Sequence, residues 1–275
     1  MATSFAGLTL DVPRIMGIVN VTPDSFSDGG EAFEPQAAIA LGLALAEQGA
    51  DILDIGGEST RPGADPISAE EQINRIVPVI DALAQKGLVV SADTRNSKVM
   101  AAAIEAGASI INDVSALTGD TGALDVVSQS SASVVLMHMQ GDPQSMQQAP
   151  QYDNVTQEVF EYLSRRIETL VARGVDQSRI AIDPGIGFGK TLDHNLALLN
   201  QTHLFCELGC AVLIGVSRKS FIAKLGKDEL PKERLPGSLS AGLAVIAKGA
   251  NILRVHDVAE TVQAINVWQR IQDAD

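Results

Sequence analysis

Cysteine is nearly absent from this chain: two occur in 275 residues, Cys206 and Cys210. No disulfide framework follows from so few, and no metal cluster follows without histidines beside them. Their spacing of four predicts a shared helix face, with both thiols as small core residues. Basic residues are also short, 20 against 34 acidic ones, for a formal net charge of −14. That balance excludes a nucleic-acid binder, because a phosphate backbone needs a basic footprint. Any anion this chain binds must be held by a local cluster working against the global field. No apolar run is long enough to cross a bilayer, so no membrane role is expected. The opening MATSFAGLTLDVPR lacks the basic start and apolar core of a secretory signal, which points to the cytoplasm.

What the chain does have is a repeated grammar of glycine, short apolar run, polar residue. Gly49 leads into Ile52 to Gly56, Gly87 into Leu88 to Asp93, and Gly107 into Ile110 to Asp113. Gly209 leads into Val212 to Ser217, and Gly249 into Ile252 to His256. Ile15 to Asn20, Val134 to His138 and Ile180 to Asp183 bring the runs to eight. Each glycine suits the left-handed residue that closes a helix, and each run suits a parallel strand buried on both faces. Amphipathic stretches separate them. Ile73, Ile76, Val77, Ile80 and Leu83 share one stripe, with Ser68 and Glu71 placed to form a capping box and Pro78 predicting a kink. Phe160, Leu163, Ile167, Leu170 and Val171 form another stripe before Gly174. Eight strands alternating with helices predict an α/β chain forming a (β/α)8 TIM barrel, a single domain over residues 1–275; a doubly wound open sheet is the runner-up.

Barrel enzymes place their chemistry at the C-terminal ends of the strands. Nine polar residues fall there: Asn20, Asp54, Asp93, Asn112, His138, Asp183, Ser217, Arg254 and His256. Asp93, Asn112 and Asp183 suit a flat heterocycle with a guanidine-like edge, since carboxylates accept paired N–H groups and an amide both donates and accepts. Lys219, Arg254, His256 and Arg61 supply positive charge for a phosphate or pyrophosphate, while Arg218 reads as a structural ion pair. The segment Asn20 to Gly30 has the composition of a mobile lid, with Phe26 to place on a ligand. Asn20 offers an oxygen to Mg²⁺, the usual companion of bound phosphates.

These segments resemble the dihydropteroate synthases. The likeness rests on MGIVNVTPDSFSDGG (16–30), GGESTRPGA (56–64), INDVSA (111–116), LMHMQGDPQSMQ (136–147), IDPGIGFGK (182–190), SRKSFI (217–222), ERLPGSLSAGLA (233–244) and RVHDV (254–258). It implies condensation of p-aminobenzoate with 6-hydroxymethyl-7,8-dihydropterin pyrophosphate, giving 7,8-dihydropteroate and pyrophosphate with help from Mg²⁺. By motif, Asp93, Asn112, Asp183, Lys219 and Arg254 would line the pterin pocket. Asn20, Thr60, Arg61, Arg254 and His256 would hold pyrophosphate, with Asn20 on the metal. Phe26, Thr60, Arg61, Pro62, Phe188, Lys219 and Ser220 would form the p-aminobenzoate side. Lys219, Arg254, His256 and Asn20 would carry the catalysis, by dissociative loss of pyrophosphate before the amine attacks. The family also implies a homodimer and competitive inhibition by sulfonamides. Leu239, Leu243 and Ile246, or Val262, Ile265 and Trp268, are the candidate dimer stripes, although packing onto the barrel accounts for most of them.

Two departures from the family's usual residues, Ala92 and Asp142, leave the expected site intact. A methyltetrahydrofolate-binding methyltransferase shares the pterin-reading acids but does not need the SRKS and RVHDV elements together. A non-catalytic pterin-binding paralogue would have lost Lys219, Arg254 or a lid motif. The stretch 184–191 also approaches a nucleotide-binding P-loop, G-x-x-x-x-G-K-[ST], but Pro184 stands where its first glycine belongs and offers no N–H to a phosphate. Lys190 in that stretch has no role assigned.

Overall fold

The computed structural model describes residues 2–22, 35–58, 67–141, 146 and 150–274. A short antiparallel hairpin, β1 (Ser4–Phe5) and β2 (Leu8–Thr9), precedes the main sheet. Eight parallel strands follow: β3 (Arg14–Asn20), β4 (Ile52–Gly56), β5 (Val90–Asp93), β6 (Ile110–Asp113), β7 (Ser133–Met137), β8 (Ile180–Asp183), β9 (Ala211–Ile214) and β10 (Ile252–Val255). They close on themselves in sequence order, β10 pairing with β3 through Leu253 opposite Ile15. This is the predicted (β/α)8 barrel, and the open sheet is excluded.

Helices fill the connections. They are α1 (Pro35–Glu47), α2 (Ala69–Ala84), α3 (Ser97–Glu105), α4 (Ala123–Gln129), α5 (Val155–Ala172), α6 (Leu192–Asn200), α7 (Thr202–Phe205), α8 (Ser220–Leu225), α9 (Leu235–Ile246) and α10 (Val258–Gln272). Gly49, Gly87, Gly107, Gly209 and Gly249 all have positive φ, the helix-closing conformation expected of them.

Side chains alternate across each strand, so one phase packs outward against helices and the other fills the barrel. The outward phase forms a large core that includes Leu53, Ile55, Val90, Ile111, Leu136, Ile182 and Leu253. The inward phase begins with an apolar floor of Met16, Ile52, Ile110, Val135, Ala181, Leu213 and Ile252, joined by Phe5 from the hairpin. Two residues further along the same phase, the floor gives way to Asp54, Asn112, Asp183 and Arg254. An apolar base beneath a polar mouth thus follows from strand phase alone.

Helix α2 continues through Pro78, so no break falls there. Three local expectations are corrected. Ser68 Oγ accepts from the Glu71 amide at 3.1 Å, but the Glu71 carboxylate takes Arg75 at 2.8 Å, so only half of the capping box forms. Val171 is 45% exposed and lies off its predicted stripe. Cys206 begins a 3-10 turn over Cys206–Leu208 and Cys210 lies beyond left-handed Gly209, so the two thiols do not share a helix face. Ile246 and Ile265 are buried in the core, with Leu243, Val262 and Trp268 packed against it.

Candidate active site

The mouth of the barrel is organised around one guanidinium. Arg254 on β10 donates from Nε to Asp54 Oδ2 at 2.6 Å and from Nη2 to Asp93 Oδ2 at 2.8 Å. Asp54 Oδ2 also accepts from Asn112 Nδ2 at 3.0 Å. Because a carboxylate can only accept, that bond turns the Asn112 amide so that its oxygen is left for a ligand. Asp54 is fully buried, and its second oxygen has no partner among the described residues. Burial pushes the Asp93 carboxyl up to about 7, with Arg254 opposing the rise and the Asp54 charge adding to it. The Arg254 guanidinium is itself pushed above its ordinary value, because the two carboxylates outweigh the cost of burial.

Asp183 ends β8 at 6% exposure, and its Oδ1 accepts from the Gly185 amide at 2.7 Å. Burial raises its carboxyl, opposed first by Lys219. Lys219 caps the start of α8, just after Arg218, a non-glycine residue held at φ 59°. Its Nζ donates to the Ile186 carbonyl and sits 4.7 Å from the centre of the Phe188 ring. Burial brings this lysine down to about 8, with Asp183 resisting. Ser220, the first residue of α8, is exposed. Arg218 pairs with Asp257, the structural ion pair expected of it, and so ties the β9 loop to the end of β10.

On the far side of Arg254, the Ser217 hydroxyl accepts from the His256 amide at 3.2 Å and lies 3.0 Å from Nδ1. Asn20 ends β3, half-buried, and its side chain makes no hydrogen bond among the described residues. No group of three His, Cys, Asp or Glu side chains suited to a metal occurs among the described residues. The donors that are present suit Mg²⁺ bound mainly through substrate phosphates and water, with one amide oxygen from Asn20.

The structure therefore brings together Asp93, Asn112, Asp183, Lys219, Arg254 and Phe188, with Ser217 and His256 alongside. Phe26, Thr60, Arg61, Pro62 and Asp142 lie outside the described residues. His138 does not join the group. Val135 points into the barrel, so His138, three residues on, takes the outward phase and packs edge-on against Tyr162 with ring centres 4.9 Å apart. Asp54 was visible in the sequence as a strand-end acid, but its tie to Arg254 follows only from the closure of the barrel, which sets β4 and β10 on either side of β3. As Pro184 already excluded a P-loop, Thr191 serves to cap α6 in a box with His194, and Lys190 is buried beside His138.

The family model for pterin-binding enzymes matches residues 16–256. The dihydropteroate synthase of Neisseria meningitidis serogroup B is 48% identical over 95% of this chain and 94% of its own length. The structure of the Xanthomonas albilineans dihydropteroate synthase with 4-aminobenzoic acid is 53% identical, with a TM-score of 0.92 over 98% of this chain and 96% of that one. That of the Yersinia pestis dihydropteroate synthase with a sulfonamide drug is 40% identical, with a TM-score of 0.92 over the whole of both chains. The chain belongs to the pterin-binding enzymes, and among them to the dihydropteroate synthases.

Proposed function

We propose that this chain joins p-aminobenzoate to 6-hydroxymethyl-7,8-dihydropterin pyrophosphate, releasing pyrophosphate, with the barrel mouth as a pterin reader flanked by two anion-holding elements. The observation that carries the reading is the set of acceptors at the mouth: the Asp93 and Asp183 carboxylates and the Asn112 oxygen turned outward by Asp54. Together they match the N–H groups of a guanidine-like pterin edge. Arg254 and His256, with Thr60 and Arg61, hold the diphosphate. Neutralising it lowers the barrier to its departure. Mg²⁺, held by Asn20 and the diphosphate, would supply further charge neutralisation of the leaving group.

The electron-rich dihydropterin stabilises the cation left when pyrophosphate departs, so bond breaking precedes amine attack. An aromatic amine is neutral near pH 7 and needs no strong base, and no catalytic base is assigned here. Lys219 stands between the pterin side, at Asp183, and the amine side, at Phe188. Phe26, Pro62 and Ser220 complete the amine side, and sulfonamides compete there. The working form is a cytoplasmic homodimer of one-domain chains.

Steady-state release of pyrophosphate from the pterin substrate is the test. It should require p-aminobenzoate, with at most about one turnover per site without it; continuous release independent of the amine would contradict the synthase reading. An electron-withdrawing pterin analogue that destabilises the cation should slow turnover sharply, whereas an unchanged rate would point to direct displacement.

A further inference from the structure

Lys190 is 2% exposed and outside the pterin and diphosphate groups described above. Its Nζ lies 3.0 Å from His138 Nδ1, 3.3 Å from the His138 carbonyl and 2.9 Å from the Phe188 carbonyl. An ammonium has three protons and no acceptor, so these three acceptors match its valence. His138 can accept at Nδ1 because burial and the nearby ammonium hold it far down, at about 3, and therefore neutral. Burial also draws Lys190 down to about 7, with the Asp183 carboxylate opposing, so the three bonds are made by its protonated form.

The loop these bonds hold is otherwise soft by composition. Gly185, Gly187 and Gly189 all adopt left-handed backbone, with φ of 72°, 85° and 61°. It is also closely seated: a Cβ on Gly185 would run into the His138 carbonyl, and one on Gly189 into that of Gln140. Tyr152 adds a second tie, its hydroxyl donating to the Gly189 carbonyl at 2.9 Å. One tie thus holds Phe188 itself and the other its neighbour, and the Phe188 ring sits against the Lys219 side chain.

We infer that Lys190 is a positioning residue for the aromatic-amine half of the site: it pins the Phe188 backbone to the end of β7 and thereby fixes the Phe188 ring against Lys219. The reasoning rests on the synthase reading above, in which Phe188 faces p-aminobenzoate. A role confined to general stability would affect both substrates alike, whereas pinning Phe188 affects the amine.

The test is steady-state kinetics of Lys190→Met, which keeps the aliphatic stem, and of Tyr152→Phe, which removes only the hydroxyl tie and is the variant that decides should the first fail to fold. For Lys190→Met, the KM for p-aminobenzoate should rise about tenfold or more, the size expected when an aligning contact is lost, with the KM for the pterin pyrophosphate within about twofold of wild type. Tyr152→Phe should show the same split at about two- to fivefold, as for one neutral hydrogen bond. Equal changes in both KM values, or no change in the amine's, would overturn the inference in either variant. Wild-type enzyme that made no dihydropteroate would instead remove the synthase reading beneath it, so the two failures are distinct.

Discussion

Replacing Arg254 with Met removes the one cation that, among the described residues, touches both Asp54 and Asp93. Among the described residues, Asp54 is fully buried with one oxygen already unpaired, and the change leaves its other oxygen with only the Asn112 amide. Stripping a partner from a buried ion pair costs about 3–5 kcal/mol. The Arg254 side chain is 23% exposed, so solvent screening lowers the expected cost to about 2–3 kcal/mol. For a chain of this size that corresponds to a fall of about 4–12 °C in Tm, read by calorimetry at pH 8. A second substitution, Asp54→Asn, removes the stranded charge and should recover at least half of the loss without restoring activity. The pH dependence has a definite sign. Asp93 already sits at about 7, above the ordinary 3.8, and loss of Arg254 raises it further. A raised acid costs stability increasingly as pH climbs from its unfolded value to its folded one; below about 7 both proteins keep the proton and bear the same cost, so the gap to wild type should narrow as pH falls from 8 to 5. A variant melting within about 1 °C of wild type at pH 8, or a double variant no more stable than the single, refutes the reasoning.

Two further outcomes follow from the same geometry. The pterin alcohol, which lacks the titrating diphosphate, should bind about 25-fold more weakly at pH 5.5 than at pH 7.5, because the free site must first lose the Asp93 proton; a flat Kd by calorimetry would contradict this. Phe188→Ala removes the ring beside Lys219 and should raise the KM for p-aminobenzoate about five- to thirtyfold, with the same weakening of sulfonamide binding. Equal weakening of the pterin substrate would show that Phe188 is not specific to the amine.

The barrel was legible because its punctuation is physical. Helix-closing glycines such as Gly49 and Gly107 need positive φ, and the apolar runs after them are too short and too uniform to be anything but buried parallel strands. That same uniformity hid the phase. In Val134 to His138 every residue before the histidine is apolar, so no alternation says which side faces the barrel, and His138 was grouped with a site it turns away from. Asp54 stood out as the acid in Ile52 to Gly56, but its partner is 200 positions away. Asp93, Asn112 and Asp183 were legible because a polar residue ending a buried strand needs a partner or a ligand. Pro184 was enough to exclude a phosphate loop, but Lys190 stayed without a role because its partners, two carbonyls and an imidazole, are brought to it only by the fold.

The account's central claim is that strand-end acids and an amide read the pterin edge, and Asp183→Asn tests it most directly. The variant keeps the shape and replaces one acceptor with an amide donor facing the ligand's own N–H groups. Charge-assisted hydrogen bonds contribute about 1.5–3 kcal/mol each, so calorimetric titration of the pterin alcohol into the variant should show affinity reduced about 100-fold or more, with the fold intact by circular dichroism. Affinity within about threefold of wild type would mean that the pterin edge is read elsewhere.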